Sequence, residues 1–502
     1  MKLSNRMSLG PAGCALSAFI LCGSAAADWR DESIARLQQA PHDLAAEAAT
    51  RAAAPTPPPA PAPATGQSDP SGDFANYSLV TPPPTSSNPF FIPQGTNGRY
   101  CGSCHKAADA WSLSPAEVQS DFQNSSGNAP LFRPVDGAVC PTAAVATLVQ
   151  RQAAYTLLLS RALIRIGLPI PANAQFRVAV SSDPYGCNTN PATGLTSPGS
   201  GIVSVYRRPL PSTNLAYLST IMWDGREPSL AQQVTDAILG HEQASSDPGA
   251  AVLSTITGFE SNLFTSQIED NAAGSLTTGG ASAGPFALAN QSVGFYDGVN
   301  DPFGHNPTHT AFNPNVFTMF SNWFNSPTGL DAAAQSIARG ENLFNTLPFN
   351  ISGVGGLNDV VGVASIRGTC SVCHDTPSAG GHSIAQFMDI GVAHPPPPAP
   401  AGATPPLTTA GLPLFNVQCV TGPLVGSSMQ LSDLGRAMIT GNCADLGHFK
   451  VPGLRGLPAR APYFHNGSAA TLANVVDFYN GRFNLNLSAQ QRQDLINFLQ
   501  SL

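Results

Sequence analysis

Two short stretches carry the residues with the clearest chemical meaning. They are CGSCHK, from Cys101 to Lys106, and CSVCHD, from Cys370 to Asp375. Each sets two thiols three positions apart and follows the second with an imidazole. On one helical turn that spacing faces both sulfurs the same way. They can then form thioethers to the two vinyl groups of a haem, and the adjacent histidine can meet the iron. A Cys-x-x-Cys redox pair or half of a zinc site would use the same residue types. Two copies, each followed by His in a chain with export features, favour two covalently attached c-type haems. Cys101, Cys104 and His105 are expected to hold haem 1. Cys370, Cys373 and His374 are expected to hold haem 2, with His105 and His374 ligating the irons. Two haems in one chain imply electron transfer between them, and an iron with an open position also activates peroxide or oxygen.

The rest of the chain bounds this reading. Its 502 residues are 42% hydrophobic, enough for real cores, but only 11% charged, with 47 Gly and 46 Pro. That mix predicts a loop-rich globular protein with Pro/Ala linkers, and the length suggests two or three domains. The N-terminus has the layout of an export signal: Lys2 and Arg6, an apolar run from Ala15 to Leu21, then Ala25-Ala26-Ala27 before Asp28. The run is too short to span a bilayer, which favours cleavage over anchoring. Cys22 offers lipidation as the alternative. No later segment is long and apolar enough to be transmembrane. Loss of residues 1–27 removes two basic groups and no acids, taking the formal net charge from −8 to −10. Such a chain argues against nucleic acid as a partner and suits docking of a basic electron-donor protein. Cys140, Cys187, Cys419 and Cys443 remain outside the motifs and predict two disulfides in an oxidising compartment. Pairing by neighbourhood, Cys140–Cys187 and Cys419–Cys443, is the simplest; the other two pairings stay open.

The elements that must hold the motifs are less marked. Residues 51–66, RAAAPTPPPAPAPATG, predict a polyproline linker, with ordered structure starting near 88–91. Residues 151–168, RQAAYTLLLSRALIRIGL, have apolar residues at helical spacing and predict a buried helix. Residues 245–310 are rich in Gly, Ser, Ala and Asn and predict a long irregular insertion. A helix is expected from Asp331, a second proline-rich loop at 394–406, and two C-terminal helices at 468–480 and 488–502, the latter capped by Ser488. No strand-rich region stands out. The expected fold is mainly α: two cytochrome c-like haem domains with long irregular loops. The expected layout is 1–27 signal peptide, 28–87 extension and linker, 88–330 haem 1 domain with an insertion at about 245–325, and 331–502 haem 2 domain.

Two longer stretches carry a resemblance: GHFKVPGLRGLPARAPYFHNGSAATLANVVDFYN at 447–480 and RRPLPSTNLAYLSTIMWDGREPSLAQQV at 207–234. With the two haem motifs they resemble the bacterial di-haem cytochrome c peroxidase family. That family includes the enzyme that matures methylamine dehydrogenase, and the di-haem rubber oxygenases are more distant. The resemblance covers roughly residues 90–240 and 335–502, outside the insertion. In the family the WDGR Trp lies between the haems and passes electrons, which implies Trp223. A Gln ten residues later lies distal to haem 1, which implies Gln233. A Glu about twenty residues after the Trp does acid/base chemistry on peroxide. Gln243 holds that place here and Glu242 precedes it, so Glu242 is the expected residue and His241 its rival; either type can take and return a proton.

The family PYFHDG is PYFHNG here, which implies His465 close to haem 2. The peroxidases ligate haem 2 with a Met fourteen residues after that His. This chain has Tyr479 there, as the maturation enzyme does, so Tyr479 is the expected distal ligand of haem 2. A family calcium ion uses two backbone carbonyls matching Arg460 and Pro462. Its Asn ligand maps near Arg208, a departure that leaves calcium in question. Many family members rest with a distal His on haem 1. Residues 106–221 contain neither His nor Met, so haem 1 is expected to be open. His42, His305, His309, His382, His394 and His448 sit in no motif and are expected mostly at the surface or in loops.

The resemblance implies a periplasmic di-haem peroxidase. It would reduce hydrogen peroxide at haem 1, with electrons entering haem 2 from a small cytochrome c or a cupredoxin. Two alternatives keep the cofactors: an oxidase or oxygenase acting on a protein or organic substrate, and a non-catalytic electron carrier. A homodimer is left open.

Overall fold

The computed structural model describes residues 66–79, 86–396 and 405–502, all within one compact unit spanning 41–502. The expected signal peptide, Cys22, His42, nearly all of the first linker and the centre of the second proline-rich loop lie outside the described residues.

The C-terminal helices form where their caps dictate. Asp331 accepts from the Ala334 N–H at 2.7 Å and starts Ala332–Thr346. Thr471 and Ser488 start Leu472–Phe483 and Ala489–Gln500, each in a reciprocal capping box with the residue three positions on. Ala332–Thr346 and Ala489–Gln500 approach so closely that a Cβ on Gly340 would lie 2.0 Å from the Asp494 carbonyl oxygen; only glycine fits there. Phe317, Ile337, Phe344 and Phe498 close the core around this crossing.

The fold is not mainly α, which corrects the sequence expectation. Fourteen strands in five small sheets occur among the described residues. The segment 151–168 shows why they were hidden. Helices Leu148–Ala154 and Thr156–Arg161 end at Ala162, in the left-handed region at φ 49°. A strand, Ile164–Pro169, follows. Its apolar positions alternate, but joined to the preceding helix they pass for helical spacing. Ser200–Arg207 pairs antiparallel with it. Phe176–Ser182 pairs with Leu414–Cys419, so opposite halves of the sequence complete one sheet. Gly72–Ser78 pairs with Leu263–Asp270. Ordered structure therefore begins before residue 88, and the insertion holds this strand and the helix Ala250–Ser261. The disulfides are Cys140–Cys187 and Cys419–Cys443, the pairing by neighbourhood.

Candidate active site

Each Cys-x-x-Cys-His stretch opens on a single tight turn, Cys101–Ser103 or Cys370–Val372. The second Cys N–H and the His N–H both donate to the first Cys carbonyl, at 3.1 and 3.0 Å in one copy and 3.3 and 3.1 Å in the other. All four thiols are free. Burial pushes Cys104 up to about 11 and Cys370 and Cys373 up to about 12. A redox pair needs the opposite shift. A zinc site fits no better: among the described residues no group of three or more metal-ligating side chains includes these cysteines.

Each motif walls its own large cavity. The His105 Nδ1 is held by the Trp111 carbonyl at 3.0 Å and the His374 Nδ1 by the Gly380 carbonyl at 2.6 Å. With Nδ1 donating, the Nε2 lone pair of each ring is left for a metal. Burial lowers both imidazoles to about 4, so they are neutral at pH 7, as an imidazole must be to ligate a metal. Buried Arg208 and Lys450 and half-buried Arg460 border both cavities, and buried Arg455 borders the first. Their hydrogen bonds run to carbonyls, a hydroxyl and a thioether, not to carboxylates. The arginines stay charged at pH 7 and require a compensating anion, whereas burial lowers Lys450 to about 7. The propionates of two haems would supply it, so thiols, imidazoles and cations together fit two covalently held haems.

Trp223 borders both cavities. Its indole N–H donates to the Arg208 carbonyl at 2.8 Å, and its ring meets His465 edge-on at 6.2 Å between centroids. His465 borders the second cavity and stacks on Phe449 at 3.8 Å. Burial lowers it to about 4, and its Nε2 has no hydrogen-bond partner. The turn carrying Trp223 is anchored beneath by buried Arg207. Its guanidinium bonds Asp433 at 2.7 and 2.9 Å and Asp224 at 2.5 Å. Burial works against the Asp224 charge, but Arg207 and Arg226 overcome it and hold the carboxyl at about 2.

Gln233, on the helix Leu230–Gly240, borders the first cavity. His241 ends that helix, also borders the cavity, and binds Asp136 through Nδ1. Buried Glu242 follows. One oxygen accepts from the Gln94 N–H at 2.7 Å, the other lies 3.8 Å from the Cys101 sulfur, and burial raises its pKa. Tyr479, on Leu472–Phe483, borders the second cavity and stacks on Phe483 at 6.1 Å. Burial raises its pKa, and nothing among the described residues hydrogen-bonds its hydroxyl.

Sequence reasoning missed Glu260. It lies near the end of Ala250–Ser261, borders the first cavity, is only 4% exposed, and has one oxygen without a partner. Burial pushes it up to about 8, against a hydrogen bond from Ser212. No motif surrounds it; the helical spacing of AAVLSTITGFES, inside a stretch expected to be irregular, is the signal that could have revealed the helix. Met222, outside the histidine-free segment, also borders this cavity. His382 and His448 are buried, not surface residues, because the loops carrying them fold inward. The calcium expectation does not fit. The Arg208 guanidinium donates to the Arg460 carbonyl at 2.9 Å and to the Ala461 carbonyl at 3.4 Å, placing a built-in cation on a carbonyl the ion would need.

No family model matches the chain. Among curated proteins it is 34% identical over 143 residues to cytochrome-c peroxidase IdrP2 of Denitromonas iodatirespirans, covering 27% of this chain and 36% of that one. It is 40% identical over 100 residues to cytochrome c551 peroxidase of Nitrosomonas europaea, covering 17% and 30%. The chain thus spans about a third of the length of these curated relatives. Among solved structures, a MauG-like protein associated with microbial copper homeostasis aligns at 14% identity and a TM-score of 0.34, over 85% of this chain and 92% of that one.

Proposed function

We propose, from its membership of the bacterial di-haem cytochrome c peroxidase family, that this protein is a periplasmic peroxidase. It reduces hydrogen peroxide at the His105 cavity with electrons received at the His374 cavity from a small cytochrome c or a cupredoxin. The observation that carries this reading is the pair of cavities, each walled by a Cys-x-x-Cys-His stretch and both bordered by Trp223. No helix of the described residues is long and apolar enough to cross a membrane.

Haem, when bound, supplies an iron that takes peroxide in the first cavity and stores single electrons in both. The chain does the rest. Glu242 takes a proton from the entering peroxide and returns it to the departing oxygen. The Gln233 amide orients the peroxide from the same wall. Glu260, neutral at pH 7 because burial pushes it to about 8, holds a further proton at the cavity edge. Two electrons and two protons convert each peroxide to two waters. Trp223 and His465, in edge contact, carry electrons between the cavities, and Tyr479 lines the second cavity with His374. Rapid mixing of the purified protein with peroxide, with and without reduced donor, tests this. Consumption of two equivalents of reduced one-electron donor per peroxide is expected; peroxide that leaves the spectrum and the donor unchanged would refute it.

A further inference from the structure

Outside the lining of both cavities, one oxygen each from Asp301 and Asp375 and one nitrogen from His382 converge within 4.8 Å of one another. The three side chains belong to residues 2%, 0% and 3% exposed. The Asp301 Oδ1 and the His382 Nδ1 have no hydrogen-bond partner, although that Nδ1 lies 3.1 Å from the Asp375 Oδ1.

Neighbouring groups fix each of these side chains in place. The other Asp301 oxygen is occupied by the His305 Nδ1 at 3.0 Å and by the N–H groups of Phe303 and His305 at 2.8 and 2.9 Å. Asp375 accepts from the Ser383 N–H at 2.6 Å and the Ser383 hydroxyl at 2.9 Å. The His382 Nε2 meets the Gln386 side-chain oxygen at 3.0 Å, and the Gln386 nitrogen donates to the Gly356 carbonyl. Nε2 therefore carries the hydrogen, and Nδ1 faces a carboxylate oxygen. That approach is repulsive unless a positive charge lies between them. A proton on Nδ1 would answer Asp375 alone and leave the Asp301 oxygen buried without a partner. A metal ion answers all three. The 3.1 Å separation is near the ~3.3 Å that bonds of about 2.0–2.1 Å set between tetrahedral ligands. Each ligand also has the orienting outer partner typical of metal sites.

We propose that Asp301, Asp375 and His382 bind one divalent transition-metal ion, zinc or manganese, separate from the haem irons and completed by water. Two carboxylates and one imidazole suit these ions. The site joins the insertion to the loop after His374, where the Asn300 side chain already donates to the Asp375 carbonyl at 3.0 Å and the Gly298 N–H to the Ser383 carbonyl at 2.8 Å. It is thus a clamp that fixes the insertion to the segment holding the second iron ligand.

The test uses the haem-loaded full chain, treated with EDTA, desalted and dialysed against zinc or manganese chloride, with metal read by mass spectrometry. One added ion per chain beyond haem iron is expected, and Asp301→Asn and His382→Gln should each weaken its binding by at least the ten- to a hundredfold that loss of a ligand's outer partner costs. Wild-type protein that retains neither ion at sub-millimolar free metal overturns the proposal, as do folded variants that bind with unchanged affinity. If the variants do not fold, anomalous diffraction at the zinc edge from wild-type crystals decides: a peak at the cluster supports the site, and none there overturns it.

Discussion

Glu242 and Glu260 meet the same cavity on different terms. Glu242 has the Gln94 N–H on one oxygen, whereas Glu260 keeps one oxygen unpartnered and is pushed up to about 8. Its folded-state pKa lies above the ordinary glutamate value of 4.5. Its contribution to stability is therefore full below that value and is lost as pH rises toward about 8. Glu260→Gln has no charge to bury, so its melting temperature should fall less than the wild type's between about pH 5 and about pH 9. Calorimetry across that range checks this, and equal falls would remove Glu260 from the account. Tyr479→Phe should shift the spectrum of the second haem and raise its potential, since a phenolate ligand favours ferric iron; spectroelectrochemistry with both features unchanged would refute the ligand role. The haem-attaching residues were legible because covalent attachment fixes type and spacing together. Glu260 and His382 were not. A Glu among Gly, Ser and Thr, or a His after two glycines, gains its chemistry only from burial that the fold creates.

Among the elements, the capped C-terminal helices followed from Asp331 and Ser488, because a cap is a local hydrogen bond written in adjacent residues. The strands did not, because their pairing is remote. Phe176–Ser182 alternates well enough, but its partner lies in the other half of the chain. The same distance joins Arg207, at the end of Ser200–Arg207, to Asp433. Asp433→Ala would leave this buried guanidinium with Asp224 alone and should cost about 3–5 kcal/mol. Chemical denaturation of the haem-loaded protein measures it. A loss below about 1 kcal/mol would mean that the pair is dispensable, as exposed pairs are.

At the scale of the molecule the two cavities are unequal. The second has His374 and Tyr479 on its wall. In the first, Met222, His241, Tyr100 and Tyr217 share the wall with His105; His241 is engaged by Asp136 and the Tyr217 hydroxyl by the Leu288 carbonyl. The oxidised protein should therefore give one high-spin ferric signal in electron paramagnetic resonance, from the first haem. Two low-spin signals, with no cyanide binding before an electron is added, would show that the first iron is blocked. The sheet built from Phe176–Ser182 and Leu414–Cys419 also sets the order of events when the chain is made. At about 5–20 residues per second, the earlier strand emerges roughly 10–50 s before its partner exists. For that interval its edge has no mate, and unmated edges recruit other chains. A chain cut near its middle would keep that bare edge for good.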